Sequence, residues 1–320
     1  TKAIYAEEPM TLVILSDTLF RQTLQPFITW KRKKGFRVIE AYTQDPDVGT
    51  GRESIKSFLK ALYQNPPEGF TPPSYLILAG DIDRVPVSHA DFYTDLYYAE
   101  YDGNGDYIPD LFYGRLPAQT VPEMEVIVNK SLAYEQYGFP DPLYLTKSLL
   151  AAGGDNAYEW DFSNGQVNYA ATYYFNSANG IEGILINAPS ADSMNQFLLD
   201  KISEGVGFLN YSGHATTSYW KDPYFSTAQV DGLMNTGKYP VVIGNGCQSG
   251  AFQVGECLAE ALIRTGGKGA LAYIGCTYDA YWEEDYYWSV GVGAVSPEPL
   301  YENTGPGYYD KVFHLYHESR

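Results

Sequence analysis

Histidine and cysteine are scarce in this chain, with four of the first and three of the second in 320 residues. Three thiols cannot all pair and build no disulfide framework, so at least one is free, and a free thiol is either buried or used. Basic residues are short as well, 21 against 39 acidic, for a net charge of −18. That deficit excludes nucleic acid as a partner, because phosphates need Lys and Arg to neutralise them. It suits a cationic partner or a divalent metal, and plain solubility accounts for most of the carboxylates. No apolar run approaches the ~18 residues needed to span a bilayer, so no transmembrane segment is expected. GxSxG, HExxH, GxGxxG and P-loop patterns are missing, which removes the commonest serine, zinc, dinucleotide and nucleotide-triphosphate sites. Low-complexity tracts and short-period repeats are missing too. The chain opens at Thr1 without a signal sequence, which a processed N-terminus would account for.

What remains is a globular composition, 45% apolar and 19% charged, with 30 tyrosines. Such a chain has ample material for a buried core. Short β-rich runs alternate with helical segments, the pattern of an α/β protein with mostly parallel sheets flanked by helices. Thr11–Ser16 (TLVILS) and Ser74–Ala79 (SYLILA) are continuous apolar runs suited to strands buried on both faces. Thr120 and Glu123 form a capping box that opens a helix running to about Tyr137. In the second half, strands are expected at Lys147–Ala152, Gly183–Asn187, Gly207–Tyr211, Tyr239–Ile243 and Gly269–Ile274. A helix is expected at about Val167–Phe175 between the first two. The Gly138–Pro142 stretch is the natural boundary between an N-terminal subdomain, 1–142, and a second subdomain, 143–320.

Ligand sites in such sheets lie beyond the carboxyl ends of the strands. Two strand ends stand out there. Gly207–Tyr211 runs into Ser212-Gly213-His214, and Tyr239–Ile243 runs into Gly244-Asn245-Gly246-Cys247. A thiol becomes a useful nucleophile when an imidazolium helps form the thiolate, and flanking glycines let a substrate backbone approach. One helix and a return strand separate the two, so a βαβ unit would make the strands neighbours. An isolated cysteine after a buried strand is more often a small core hydrophobe. Cys257, at the head of the apolar CLAEAL segment, and Cys276, at a strand end, fit that description. A Gly-His at one strand end and a Gly-Cys at the next are much harder to explain by packing.

At this point the residues resemble a known family. FLNYSGHATTSYW, then YPVVIGNGCQSGAF, ECLAEALIRTGGKGALAYIGCT and Trp282, resemble the catalytic core of the gingipain cysteine peptidases. FITWKRKKGFRV, SYLILAGDIDRVP and LFYGRLP fall upstream in the same order, so the resemblance covers about Thr11 to Val312. The strand-Gly-His and strand-x-x-Cys pair is shared with the wider caspase–legumain clan. The resemblance implies a caspase-like α/β fold in two subdomains and a secreted or cell-surface, bacterial-type endopeptidase that acts as a monomer on peptide or protein substrates. It makes Cys247 the nucleophile, His214 the general acid/base, and the backbone N–H groups of Cys247 and Ala215 the oxyanion hole. Trp282 matches a tryptophan that covers the substrate pocket.

Three departures qualify the match. The family has Gly where this chain has Ala215, which would strain the oxyanion hole if positive φ is needed there. The acid placed against the histidine is replaced by Ala152, leaving Asp155 as the nearest orienter. The acidic pocket residue falls at Ser163, which turns attention to Asp279 and Asp161 as partners for a cation. With the negative field of the whole chain, cleavage after Arg or Lys is expected. Two alternatives stand beside hydrolysis: a surface transpeptidase resembling the sortase of type IX secretion, and a silent secreted scaffold.

Residues 101–110 (YDGNGDYIPD) gather three carboxylates and an amide. The spacing of Asp102, Asn104 and Asp106 begins like an EF-hand loop, but Tyr107 and Tyr113 occupy the positions of the required Gly and Glu, so it is not one. Oxygen-rich loops of this kind bind Ca²⁺, and Asp106 and Asp110 match positions that hold a structural calcium in gingipains. A water-solvated Asp/Asn/Gly turn is the ordinary alternative.

Overall fold

The computed structural model describes residues 9–89, 92–103 and 107–313. The chain divides into two compact units, Thr1–Leu132 and Ala133–Arg320, and the division falls upstream of the Gly138–Pro142 stretch.

The first unit holds β1 (Thr11–Ser16), α1 (Arg21–Lys33), β2 (Arg37–Tyr42), α2 (Arg52–Gln64), β3 (Pro73–Ala79), β4 (Phe112–Leu116) and the greater part of α3 (Val121–Glu135). The strands form one parallel sheet in the order β2-β1-β3-β4. All six residues of β1 are buried, as its unbroken apolar run requires for a strand covered on both faces. Val13 and Leu15 pack with Leu76 and Leu78 of β3 and with Ile55 and Leu59 of α2. The capping box forms as expected: the N–H groups of Gln119 and Thr120 donate to Glu123 Oε2 at 2.7 and 2.9 Å.

The second unit is a five-stranded parallel sheet covered on both faces. Its elements are β5 (Lys147–Ala152), α4 (Ala157–Tyr173), β6 (Glu182–Ile186), α5 (Ser193–Glu204), β7 (Phe208–Ser212), β8 (Val241–Asn245), α6 (Leu258–Arg264), β9 (Ala272–Gly275) and α7 (Trp282–Val290). The strand order is β9-β8-β7-β5-β6. Side chains alternate across the sheet. Leu209 and Tyr211 of β7 enter a core with Leu198, Ile202, Leu258 and Leu262. Phe208 faces the other way, toward Phe162, Val167 and Tyr286 of α4 and α7.

One sequence expectation needs correcting here. α4 begins ten residues before Val167, because Asn156 caps it by accepting from the N–H groups of Tyr158 and Glu159. Its middle carries Phe162, Ser163, Gly165 and Gln166, all buried, so it lacks the amphipathic period that marks a surface helix. No helix among the described residues is long and apolar enough to cross a membrane.

Candidate active site

Strands β7 and β8 are parallel neighbours, with Tyr211 opposite Gly244 and Ser212 opposite Asn245. His214 and Cys247 therefore sit at the same height, each two residues beyond a paired partner. The ladder continues past the strands, where Gly213 N–H donates to the Asn245 carbonyl at 3.1 Å. Gly246 closes the remaining gap. A Cβ there would lie 2.5 Å from the Gly213 oxygen and 2.8 Å from Ala215 Cβ, contacts that real side chains do not make. Only glycine lets the cysteine segment lie flat against the histidine segment.

The backbone of His214 is fixed by a short antiparallel pairing with the strand Tyr219–Lys221. Lys221 N–H donates to the His214 carbonyl at 2.9 Å, Thr216 N–H donates to the Tyr219 carbonyl at 2.9 Å, and the Tyr211 hydroxyl adds a bond to the His214 carbonyl at 2.6 Å. Those bonds flank the open pair Ala215 and Trp220, so the Ala215 N–H points away from the hairpin, toward Gly246. Ala215 is not among the described residues with positive φ, so the methyl group brings no backbone strain. The expected penalty at this position does not arise.

The imidazole is held on two sides. Its Nε2 lies 3.1 Å from Glu159 Oε2, and its edge meets the ring of Trp282 with centroids 5.3 Å apart and planes at 78°. Glu159 is only 15% exposed at its side chain, and its carboxylate is pinned by the Asp155 N–H at 2.6 Å and the Asn156 side-chain amide at 2.8 Å. Asp155, expected as the orienter, stands farther off at 3.8 Å. Both of its oxygens are taken by Lys221 Nζ, at 2.6 and 2.7 Å, which also holds its carboxyl below the usual range. Glu159 is the nearer carboxylate. The signal that could have found it is Asn156 followed three residues later by Glu159, a helix-start pattern. Asp155, Glu159 and His214 are the one group among the described residues with three ligand-type atoms within 4.8 Å. With Lys221 closing on Asp155, and Asp155 and Asn156 donating to Glu159, they form an internal ion-pair network rather than an open cation site.

Cys247 is half-buried, and its thiol lies between the carbonyl and the N–H of Ala280, at 3.6 and 3.4 Å. Gln248, the next residue, has φ 57°, a left-handed backbone held by its N–H bond to the Tyr278 carbonyl at 2.9 Å. The other two thiols are unlike it. Cys257 is fully buried, which pushes its thiol pKa well up, and burial pushes Cys276 up to about 12. Cys257 is a packed hydrophobe, as its sequence context implies, whereas Cys276 is half-buried.

Trp282 opens α7 and lies between His214 and Phe162. One turn on, Asp285 turns into the protein, while its neighbours Glu283 and Glu284 stay exposed. Burial, and then Glu284, raise the Asp285 carboxyl to about 7. After burial, Asp285 and then Cys247 raise the Cys276 thiol further. No ion pair or side-chain hydrogen bond to this carboxylate is seen among the described residues. Asp285 was not singled out from sequence, since three acidic residues in a row do not reveal which one turns inward.

Ser163 is fully buried, with its hydroxyl donating to the Glu159 carbonyl at 3.2 Å. Asp161 is exposed on α4, and Asp279 is exposed with its carboxylate accepting from the Gln248 side chain at 3.2 Å. In the first unit, the Asp110 carboxylate accepts the Tyr101 N–H at 2.6 Å. Asp102 is exposed, and Asp106 lies outside the described residues.

The model of peptidase family C25 matches residues 5–314. Lys-gingipain of Porphyromonas gingivalis (strain ATCC 33277) is 36% identical over 310 residues, 95% of this chain and 18% of that protein. Gingipain R2 of Porphyromonas gingivalis (strain W83) is 22% identical over 284 residues, 85% of this chain and 37% of the relative. The chain thus spans less than a fifth of Lys-gingipain. Among solved structures, one titled "Structure of Protease" superposes with a TM-score of 0.87 at 35% identity, covering 95% of this chain and 67% of the other. The Arg-specific cysteine proteinase gingipain R superposes with a TM-score of 0.76 at 22% identity over 90% of this chain and 67% of the other, a likeness of fold. The α/β fold of mostly parallel sheets flanked by helices expected from sequence is the fold shared with these proteins.

Proposed function

The chain belongs to peptidase family C25, and from that premise we propose that it is a cysteine endopeptidase with Cys247 as nucleophile and His214 as its acid/base partner. The observation that carries the assignment is the shared register of the two segments, which brings one half-buried thiol and one carboxylate-held imidazole to the same end of one sheet.

The chemistry follows from the positions. With Nε2 held by Glu159, the Nδ1 side of His214 is left to exchange protons with the thiol. The thiolate sulfur attacks the carbonyl carbon, and its electrons move onto the oxygen, which the N–H groups of Cys247 and Ala215 receive. Collapse expels the amine, which takes its proton from His214, and leaves a thioester. Water, giving a proton back to His214, then releases the acid and frees the thiol. Glu159 keeps the imidazole oriented and stabilises its protonated form.

Asp285 and Trp282 supply the specificity. A largely buried carboxylate with no cation beside it is costly, and a Lys or Arg side chain entering under Trp282 would satisfy it. This replaces Asp279 and Asp161 as the proposed cation partners. Identity to Lys-gingipain favours Lys. We place the enzyme outside the cell, acting as a monomer, as its likeness to gingipains implies. A peptide-library digest read by mass spectrometry, with Cys247→Ala as the blank, tests the reading. Cuts after Lys or Arg that vanish in the blank support it; no cysteine-dependent cut removes it. Joined peptides in place of new termini would make the enzyme a transpeptidase acting through the same thioester.

A further inference from the structure

Besides β7, which leads to His214, three elements build the site: α4 brings Glu159, β8 leads to Cys247, and α7 carries Trp282 and Asp285. One side-chain oxygen touches all three. Gln166, on the buried side of α4 and without solvent exposure, accepts at Oε1 from Asn245 Nδ2 at 2.9 Å and from Ser289 Oγ at 2.8 Å. We propose that Gln166, acting through Ser289, is a positioning residue that sets the rotation of α7 and so selects Asp285 as the acid facing the substrate. The inference rests on the cysteine-peptidase reading and adds a residue to it.

The two bonds to Gln166 have different consequences. Asn245 is fixed without it, being paired with Ser212 in the ladder and accepting the Gly213 N–H at its carbonyl. The strand therefore positions Gln166, and not the reverse. Helix α7 has no such ladder. Apart from a long contact of Asn245 Nδ2 with the Asp285 carbonyl at 3.5 Å, it packs by Tyr286 and Val290 against the apolar side of α4, and apolar attraction carries no direction of its own. Its first turn offers Glu283, Glu284 and Asp285 in succession, each 100° around the axis from the last, so its rotation decides which acid turns inward. Ser289 lies one turn beyond Asp285, and its hydroxyl is within reach of the Asp285 carbonyl, at 2.9 Å, as well as Gln166. A bond at Ser289 thus fixes the helix where the choice is made. Gln166 is also kept at a cost: its Nε2 is buried and finds no partner among the described residues. An apolar residue of that size would fill the space without this penalty.

Two reagents that label Cys247 separate pocket from nucleophile. Iodoacetamide needs the thiolate alone, whereas a peptidyl acyloxymethyl ketone with lysine beside the reactive group needs the pocket as well. In Ser289→Ala and in Gln166→Met, labelling by the lysyl reagent is expected to slow about tenfold, the scale of one lost buried hydrogen bond, with iodoacetamide within about twofold of wild type. Ser289→Thr, which keeps the hydroxyl, should retain the wild-type ratio. The double variant should slow no further than Gln166→Met, because the two residues act as one unit. If both reagents slow in parallel, the bond holds the fold around Cys247 and the proposal is wrong. Unchanged lysyl labelling, or additive losses, overturns it equally. Wild-type protein that takes up neither reagent removes the peptidase reading and this inference with it; uptake that ignores Ser289 and Gln166 removes the inference alone.

Discussion

Glu159 reaches the ring of His214 at 3.1 Å because it stands in the first turn of a helix capped by Asn156, with its carboxylate already held by two N–H donors. Asp155 lies 3.8 Å from the same ring nitrogen, and its carboxylate is closed off by Lys221.

The first prediction separates these two acids. Glu159→Gln should lower kcat/KM by roughly 10- to 100-fold, as the imidazole loses its charge partner and its fixed tautomer. Asp155→Asn should cost less than about threefold, being an exposed ion pair. Steady-state kinetics on one lysyl substrate decides; a larger loss in Asp155→Asn would reverse the assignment.

Cys247→Ala should abolish cleavage while leaving the melting temperature near wild type. His214→Ala should lower the rate by about 10²–10⁴-fold. Cys257→Ala and Cys276→Ala should change stability rather than chemistry, since both thiols are held in their neutral form by burial. Residual cleavage by Cys247→Ala above trace would remove the nucleophile assignment.

Asp285 gives a pH dependence with a definite sign. Its carboxyl ionises at about 7 in the folded protein against a usual 3.8, and a cation binds the ionised form. With a lysyl substrate, kcat/KM should rise as pH passes upward through about 7, and Asp285→Asn should lose both this limb and roughly 10²-fold in kcat/KM. Stability runs the opposite way. The folded state holds this proton more tightly than the unfolded chain, so the contribution is present below about pH 4 and is lost as pH rises through 7. Melting curves of wild type and Asp285→Asn across pH 4–8 should therefore diverge in slope; parallel curves would count against a buried, unpaired carboxylate.

A structural calcium at Asp102, Asp106 and Asp110 is proposed from the oxygen-rich loop. Chelation by EDTA should lower the melting temperature and added Ca²⁺ should restore it, with the rate of iodoacetamide labelling at Cys247 unchanged. A melting curve indifferent to both reagents would dispose of the site.

Much of the scaffold is legible in the residues. Thr11–Ser16 forms a strand with the bounds expected, because a six-residue apolar run buried on both faces has few other fates. The two reactive segments were legible for a similar reason: each follows a buried strand and carries glycine beside a chemically active side chain. What stayed hidden depends on contacts made in three dimensions. From Phe162 to Ala170 the helix α4 is buried or half-buried throughout, so its period does not show and Glu159 lies outside the helix expected at Val167–Phe175. Asp285 differs from Glu283 and Glu284 only in the direction it faces. Beside the Gly-Gly at 153–154, Ala152 is simply a buried strand residue, while the carboxylate nearest His214 comes from the first turn of the helix that follows.

The close fit of Gly246 against Gly213 and Ala215 has a consequence for control. With the Gly213 amide bonded to the Asn245 carbonyl, neither segment can swing out without unzipping the other. Moving either backbone segment alone breaks the pairing of the other, so a change of state that keeps the sheet intact must shift the two segments together or act through the side chains.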